Sequence, residues 1–254
     1  MFIRSVLTCA AATLACAAMP MVASAAAPIE GSWTYSGGQV AVKAGTDGTL
    51  TGIVIRETRL TECLHPVGEP MWTKMALQPD GQYFGSHQWY NETPCAPTPT
   101  LGNSAWRLLT RPDGQVFLRF CSASHLRPDR QPSIAQDGTP SNFGRPCFDS
   151  EPVPVGKKPT FANTVVLPAQ GKRKCLPRRS FVLRMNEPAG DALASGTVAV
   201  NGKVVKRLTR AEITQPVNIT RLPRGRYKVR VVTTTVLGKT IKGTRAYLTC
   251  SKRA

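Results

Sequence analysis

The chain has 254 residues, with 33 Lys and Arg against 15 Asp and Glu, a formal net charge of +18, and 41% hydrophobic residues. That apolar content supplies a core and excludes an intrinsically disordered chain. The charge is uneven: residues 26–155 hold 10 Lys and Arg against 12 Asp and Glu, whereas residues 156–254 hold 22 against 3.

The chain opens with Arg4 ahead of an apolar run from Val6 to about Ala18, then the small-x-small site Ala23-Ser24-Ala25. Residues 1–25 are expected to be a secretory signal peptide. The run is short of the roughly 20 residues of a membrane span, and no second apolar span follows, so no transmembrane anchor is expected. Cys16 after Leu14-Ala15 is the alternative, a lipoprotein site, but Thr13 stands where such a site carries Leu. Six cysteines follow the leader: Cys63, Cys95, Cys121, Cys147, Cys175 and Cys250. An even number in an exported chain points to disulfide bonds.

Residues 29–150 read as one β domain. Asp-Gly occurs at 47–48, 80–81 and 113–114, each time between two runs of β-prone residues such as "QVAVKAG" and "LTGIVIRE". Asp-Gly between alternating runs marks a hairpin turn, because Gly accepts the positive φ that the turn requires. A calcium loop needs several carboxylates at alternating positions, and each turn here has one. Three hairpins in series give an antiparallel meander or small barrel of about six strands, with the Asp-Gly turns at one end. The connectors 56–70 and 91–104 fall at the other end and carry Cys63 and Cys95, so these two are expected to pair. Cys121 ends the sixth strand and is paired with Cys147 in the tail that follows. Six cysteines allow many connectivities, and these two pairs rest on position alone.

The opening "IEGSWTYSGGQVAVKAGTDGTLTG" (29–52) resembles the first hairpin of calycin-type barrels, the avidins and lipocalins. The likeness lies in Gly31-Ser32-Trp33, the strand and tight turn after it, and a Leu-Thr-Gly strand. It covers about 24 residues and implies ligand binding in a barrel mouth; six strands rather than eight depart from the pattern. Trp72, His87, Trp89 and Trp106 are the candidates for such a pocket, which would take a small sugar or apolar molecule. Core packing is the alternative role for the same Trp residues.

"DSEPVPVGKKPTF" (149–161) is rich in Pro, and residues 151–159 are expected to be a linker. Residues 160–254 stay β, with strands expected at 161–167, 180–185, 195–201, 203–208, 216–220, 226–235 and 240–250. So many short strands suggest an immunoglobulin-like sandwich. "LPRGRYKVRV" (222–231) resembles the tyrosine corner of immunoglobulin-like and fibronectin III-like modules, which implies that Tyr227 hydrogen-bonds back to the loop before it. Cys175 and Cys250 flank the domain, and a bridge between them would close almost all of it.

In 226–231, Arg226, Lys228 and Arg230 alternate with Tyr227, Val229 and Val231, so one strand face buries apolar groups and the other shows cations. Lys203, Lys206, Arg207, Arg210, Lys239, Lys242 and Arg245 add to the same domain. Such a surface attracts an anionic cell-envelope polymer or acidic glycan; a merely solvated face is the alternative. Nucleic acid is disfavoured by the exported location and by the lack of Trp for base stacking in this half.

The histidines, His65, His87 and His125, stand apart in sequence, and no Gly-x-Ser-x-Gly, His-Glu-x-x-His or glycine-rich phosphate loop occurs. Cys63-Leu64-His65 does not complete a zinc set. No catalytic residue, metal or cofactor is expected. The sequence therefore predicts an all-β secreted or cell-surface binding protein without enzymatic activity. Its alternative is a small-ligand carrier or hydrolase centred on the N-terminal domain.

Overall fold

The computed structural model describes residues 29–60, 63–124, 126–144, 147–154, 156–169 and 175–250. The expected signal peptide and His125 lie outside the described residues. The class is all-β, as expected from the alternation of apolar and polar residues.

The first half runs as β1 (Gly31–Tyr35), β2 (Gly38–Ala44), β3 (Leu50–Arg56), a ribbon of β4 (Thr58–Leu60) and β5 (Cys63–His65), then β6 (Pro70–Leu77) and β7 (Tyr83–His87). A second ribbon, β8 (Tyr90–Glu92) with β9 (Cys95–Pro97), leads to β10 (Gly102–Thr110) and β11 (Val116–Ser122). A third, β12 (Ser133–Ile134) with β13 (Pro140–Ser141), precedes β14 (Phe148–Ser150). One antiparallel eight-stranded sheet takes the order β1-β2-β3-β6-β7-β10-β11-β14. Its ends meet: Thr34 donates its backbone N–H to Glu151 O at 2.8 Å and Val153 donates to Ser32 O at 2.7 Å. Residues 151–153, placed in the linker by sequence, thus pair with β1.

The Asp-Gly turns behave as expected, with positive φ at Gly48, Gly81 and Gly114. Asp47, Asp80 and Asp113 each accept the backbone N–H two residues on, at 3.1, 3.2 and 3.0 Å. The sheet has eight strands where about six were expected. Ser36 and Gly37 both take positive φ, 42° and 77°, which is the two-residue turn that joins twisted hairpin strands; it separates β1 from β2. At the other extreme β14, three residues long, carries no alternation to read.

The barrel interior is packed by Ile29, Trp33, Tyr35, Val40, Val54, Trp72, Trp106, Leu118 and Phe120. Trp72 lies over Gly52, its register partner on β3. Outside the barrel, the β12–β13 ribbon folds back over β10, where Ile134 packs against Ala105 and Cys121. It also covers Arg107, whose guanidinium donates to Ile134 O at 2.6 Å and to Asp80 O at 2.9 Å.

The second half holds α1 (Phe161–Thr164), β15 (Val165–Val166), β16 (Phe181–Met185), β17 (Leu193–Val200), β18 (Lys203–Leu208), α2 (Arg210–Ile213), β19 (Val217–Ile219), β20 (Gly225–Thr235) and β21 (Thr240–Thr249). A three-stranded sheet, β15-β16-β19, and a four-stranded sheet, β18-β17-β20-β21, share a core of Leu183, Leu193, Val198, Tyr227, Val229, Val231, Ile241 and Tyr247. Two expectations change here. The start of the predicted strand 161–167 is a helical turn, because Thr160 and Asn163 cap each other's backbone N–H groups. Tyr227 buries its ring 5.8 Å from that of Tyr247 and makes no hydrogen bond to the loop before it. Thr249 Oγ1 donates to Pro223 O at 2.9 Å instead, since the pairing of β21 with β20 brings Thr249 opposite Gly225.

Three disulfides join Cys63 to Cys95, Cys121 to Cys147 and Cys175 to Cys250, the pairs drawn from their positions in sequence. An apolar seam of Ala41, Ile55 and Val67 against Ala192, Val236 and Leu237 joins the two halves.

A methyl group at position 52 would lie 2.6 Å from Trp72 Cε3. Gly52→Ala is therefore expected to destabilise the barrel by about 1–3 kcal/mol, the usual cost of overpacking, seen as a lower Tm. An unchanged Tm would show that Trp72 does not rest on Gly52.

Candidate functional site

Two regions gather the residues that sequence singled out. The first is the end of the barrel where the β4–β5 and β8–β9 ribbons meet. β7 and β10 place Trp72's neighbours by register: His87 lies opposite both Trp72 and Gly102. Trp72 and Trp106 ring centroids are 5.6 Å apart, His87 is 4.7 Å from Trp89 and 5.1 Å from Phe120, and Tyr35 is 5.3 Å from Trp72. The four pocket candidates are thus brought together, and all are buried. They divide by hydrogen bonding. Trp89 Nε1 donates to Ala123 O at 2.9 Å, as Trp33 Nε1 does to Ile29 O. The indole N–H groups of Trp72 and Trp106, the Tyr35 hydroxyl and both ring nitrogens of His87 are buried with no partner.

In the sequence His65 stands apart from the other histidines, and nothing there marks Tyr35 or Tyr90. The structure puts His65 at the same barrel end, with 0% exposure, its ring 6.3 Å from that of His87 and 4.3 Å from that of Tyr90. Its Nδ1 is 3.0 Å from Glu69 Oε2. The i,i+4 spacing of His65 and Glu69 was in the sequence; the approach of β5 to β7 was not. Burial, with His65 nearby, lowers the His87 pKa to about 3. Tyr90 is pushed up to about 12 by burial and by Glu69, and burial also raises Tyr35. At neutral pH His87 is an uncharged ring buried from solvent, while Tyr90 is half-buried. Among the described residues, no group of three or more His, Cys, Asp or Glu has the geometry to hold a metal ion.

The second region is the outer face of the β18-β17-β20-β21 sheet. Residues in register share a face. Arg207 lies level with Thr197, Val232 and Lys242; Arg230 lies level with Ala199 and Thr244; Lys228 lies opposite Ala246 and Arg226 opposite Leu248. Arg207, Arg226, Lys228, Arg230 and Lys242 are exposed, and none of the four strands contains Asp or Glu. Four of the other five basic candidates have partners. Lys206 pairs with Glu212 at 3.0 Å, Lys239 with Asp191 at 3.2 Å, and Arg210 with Glu187; Arg245 donates to Leu167 O at 3.1 Å. Among the described residues, Arg207, Arg226, Lys228, Arg230, Lys242 and the edge residue Lys203 make no ion pair.

A cleft of about 440 Å³ also lies between the halves, lined by Gln39, Arg56 and Glu57 on one side and Glu187, Asp191 and Arg210 on the other. No sequence signal marked it, because its walls come from segments far apart in the chain.

No protein family's sequence pattern matches this chain, and no curated protein matches it. Among solved structures, the extracellular domain of a hybrid two-component system from B. thetaiotaomicron is similar over 81% of this chain, at 12% sequence identity and a TM-score of 0.26. The match spans 37% of that protein's chain, and a likeness at that level carries no argument about function.

The state of His87 has a measurable consequence. Its folded pKa of about 3 lies below the ordinary value of 6.5, so between these values the unfolded chain binds the extra proton. Stability is full above about pH 6.5 and falls as pH drops, by at most about 1.4 kcal/mol per pH unit. In urea titrations between pH 7 and pH 4.5, His87→Phe is expected to show a shallower loss than the unmodified chain. Parallel curves would mean that His87 takes up its proton without unfolding.

Proposed function

We propose that this chain is an exported, non-enzymatic binding protein. In this reading the outer face of the β18-β17-β20-β21 sheet holds it to an anionic envelope polymer or acidic glycan. The observation that carries the reading is a four-stranded face with five exposed, ion-pair-free cations and no carboxylate in any of its strands. Export is supported by three disulfides, which persist in oxidising compartments, and by the leader composition. The absence of catalysis is supported by the burial of His65 and His87, which keeps both away from a substrate in solution.

An immunoglobulin-like or fibronectin III-like classification of the second half draws support from its facing sheets of three and four antiparallel strands. A calycin-like classification of the first half draws support from an eight-stranded meander whose ends hydrogen-bond. A second reading, a small-ligand carrier centred on the barrel, is favoured by one observation. The Trp72 and Trp106 N–H groups, the Tyr35 hydroxyl and the His87 ring nitrogens belong to neighbouring buried rings and have no hydrogen-bond partners, and buried polar groups are ordinarily satisfied.

The whole chain is expected to bind an immobilised polyanion with an affinity that falls steeply with salt. Arg226→Ser, Lys228→Ser and Arg230→Ser should each lower the log–log salt slope by about one unit. Binding that ignores salt between 50 and 300 mM, or no binding at 50 mM, would overturn the proposal.

A further inference from the structure

The basic face is a ridge rather than a plain. Arg226, Lys228 and Arg230 follow one another along β20 on the same side, so successive cations stand about 7 Å apart. On the strands to either side, the residues level with Lys228 and Arg230 are small: Ala199 on β17, Thr244 and Ala246 on β21. The long side chains project in a single file, with low ground beside Lys228 and Arg230 on the β21 side; Arg226 stands beside Leu248 and Lys228 beside the turn residue Asn201. Arg207 and Lys242 stand off this line, level with Val232, and extend the positive potential past the Arg230 end. The strand holds the spacing: β20 pairs with β21 from Gly225 to Thr234 and with β17 from Val229 onward, and the Lys228 backbone N–H donates to Asn201 Oδ1 at 2.9 Å. Tyr227, Val229 and Val231 lock its other face into the core.

A fixed file of cations selects among anionic partners by shape. A bilayer presents anions across a plane and would meet only the crest of the ridge. An isolated anion gains from one cation at a time. An extended, unbranched chain with an anionic group about every 7 Å can engage all three in register. Two of the three are Arg, whose planar fork accepts a phosphate or carboxylate through two parallel hydrogen bonds.

We infer that the face takes an unbranched polyanion lying along β20, with consecutive anionic groups on Arg226, Lys228 and Arg230. This rests on the proposed polyanion-binding function and names the form of its partner. Glycerol-phosphate oligomers and oligogalacturonates carry the same linear chemistry from two sources, a phosphodiester and an acidic sugar.

The test titrates the whole chain with both series, at two, four and eight units, and with vesicles of phosphatidylglycerol, which bears the same glycerol phosphate on a plane. In at least one series, affinity per molecule is expected to rise about tenfold or more from two to four units, where the ligand first spans the file, and to change little at eight. Arg226→Ser with Arg230→Ser should abolish that rise; both side chains are exposed, and an unchanged Tm confirms the fold. Arg207→Ser with Lys242→Ser removes the same charge off the line and should leave the rise in place. Three results would overturn the inference while leaving salt-sensitive polyanion binding intact. They are an affinity independent of length, an equal effect of the two double variants, or vesicles binding better than eight-unit oligomers at equal anion concentration. No binding to any anion at 50 mM salt would remove both.

Discussion

The contact between Ser32–Thr34 and Glu151–Val153 decides what the rest of the N-terminal half can be. By bonding Thr34 N–H to Glu151 O and Val153 N–H to Ser32 O, the chain turns an open meander into a sheet that meets itself. Neither end strand is then left as a row of unpaired backbone groups. Such a sheet has an interior, and the pleat obliges every second residue to fill it. Trp33, Tyr35, Trp72, Trp106 and Phe120 do so. The same enclosure denies water to His87, which keeps its imidazole neutral. Sealing the ring cluster leaves solvent-facing chemistry to the barrel exterior and to the second half.

The second half obeys the same alternation with opposite consequences. Along β20 the inward residues Tyr227, Val229 and Val231 meet Tyr247, Leu183 and Leu193 in the core, so the outward residues are free of packing constraints. They are Arg226, Lys228 and Arg230. Disulfides act where ladders do not reach. Cys63–Cys95 ties the two ribbons at the barrel end, Cys121–Cys147 holds the segment after β11 against the outer barrel face, and Cys175–Cys250 closes 75 residues of the second half. In the chain-entropy account a loop of that size is worth about 4 kcal/mol, a large share of a small domain's stability.

What was legible in the sequence was local. Asp-Gly turns and period-two runs located β2, β3, β6, β7, β10 and β11, and the alternation in 226–231 assigned the faces of β20 before any contact was known. The losses have local causes as well. Ser36-Gly37 makes the same kind of turn as Asp-Gly in a less distinctive dipeptide, so β1 was not separated. Thr160–Asn163 forms a cap inside a run that also alternates. The candidate site was less legible because it is made at a distance. His65, Glu69 and Tyr90 reach His87 only when the ribbons fold over the barrel end, and no spacing in the chain records that approach.

Three arginines of the barrel contrast with the unpaired cations. Arg107, Arg111 and Arg119, on its strands and turns, each meet a carboxylate: Asp80 at 3.0 Å, Glu151 at 2.5 Å and Asp149 at 2.7 Å. In the second half, Lys206, Arg210 and Lys239 are paired at the periphery of the sheet. On the outer face the cations are left without an ion pair, although neighbours about 7 Å apart repel by roughly 0.6 kcal/mol even in water. Solubility does not require that cost, since charges of both signs serve it as well. With no carboxylate in four adjacent strands, the face offers these cations no ion-pair partner within their own sheet.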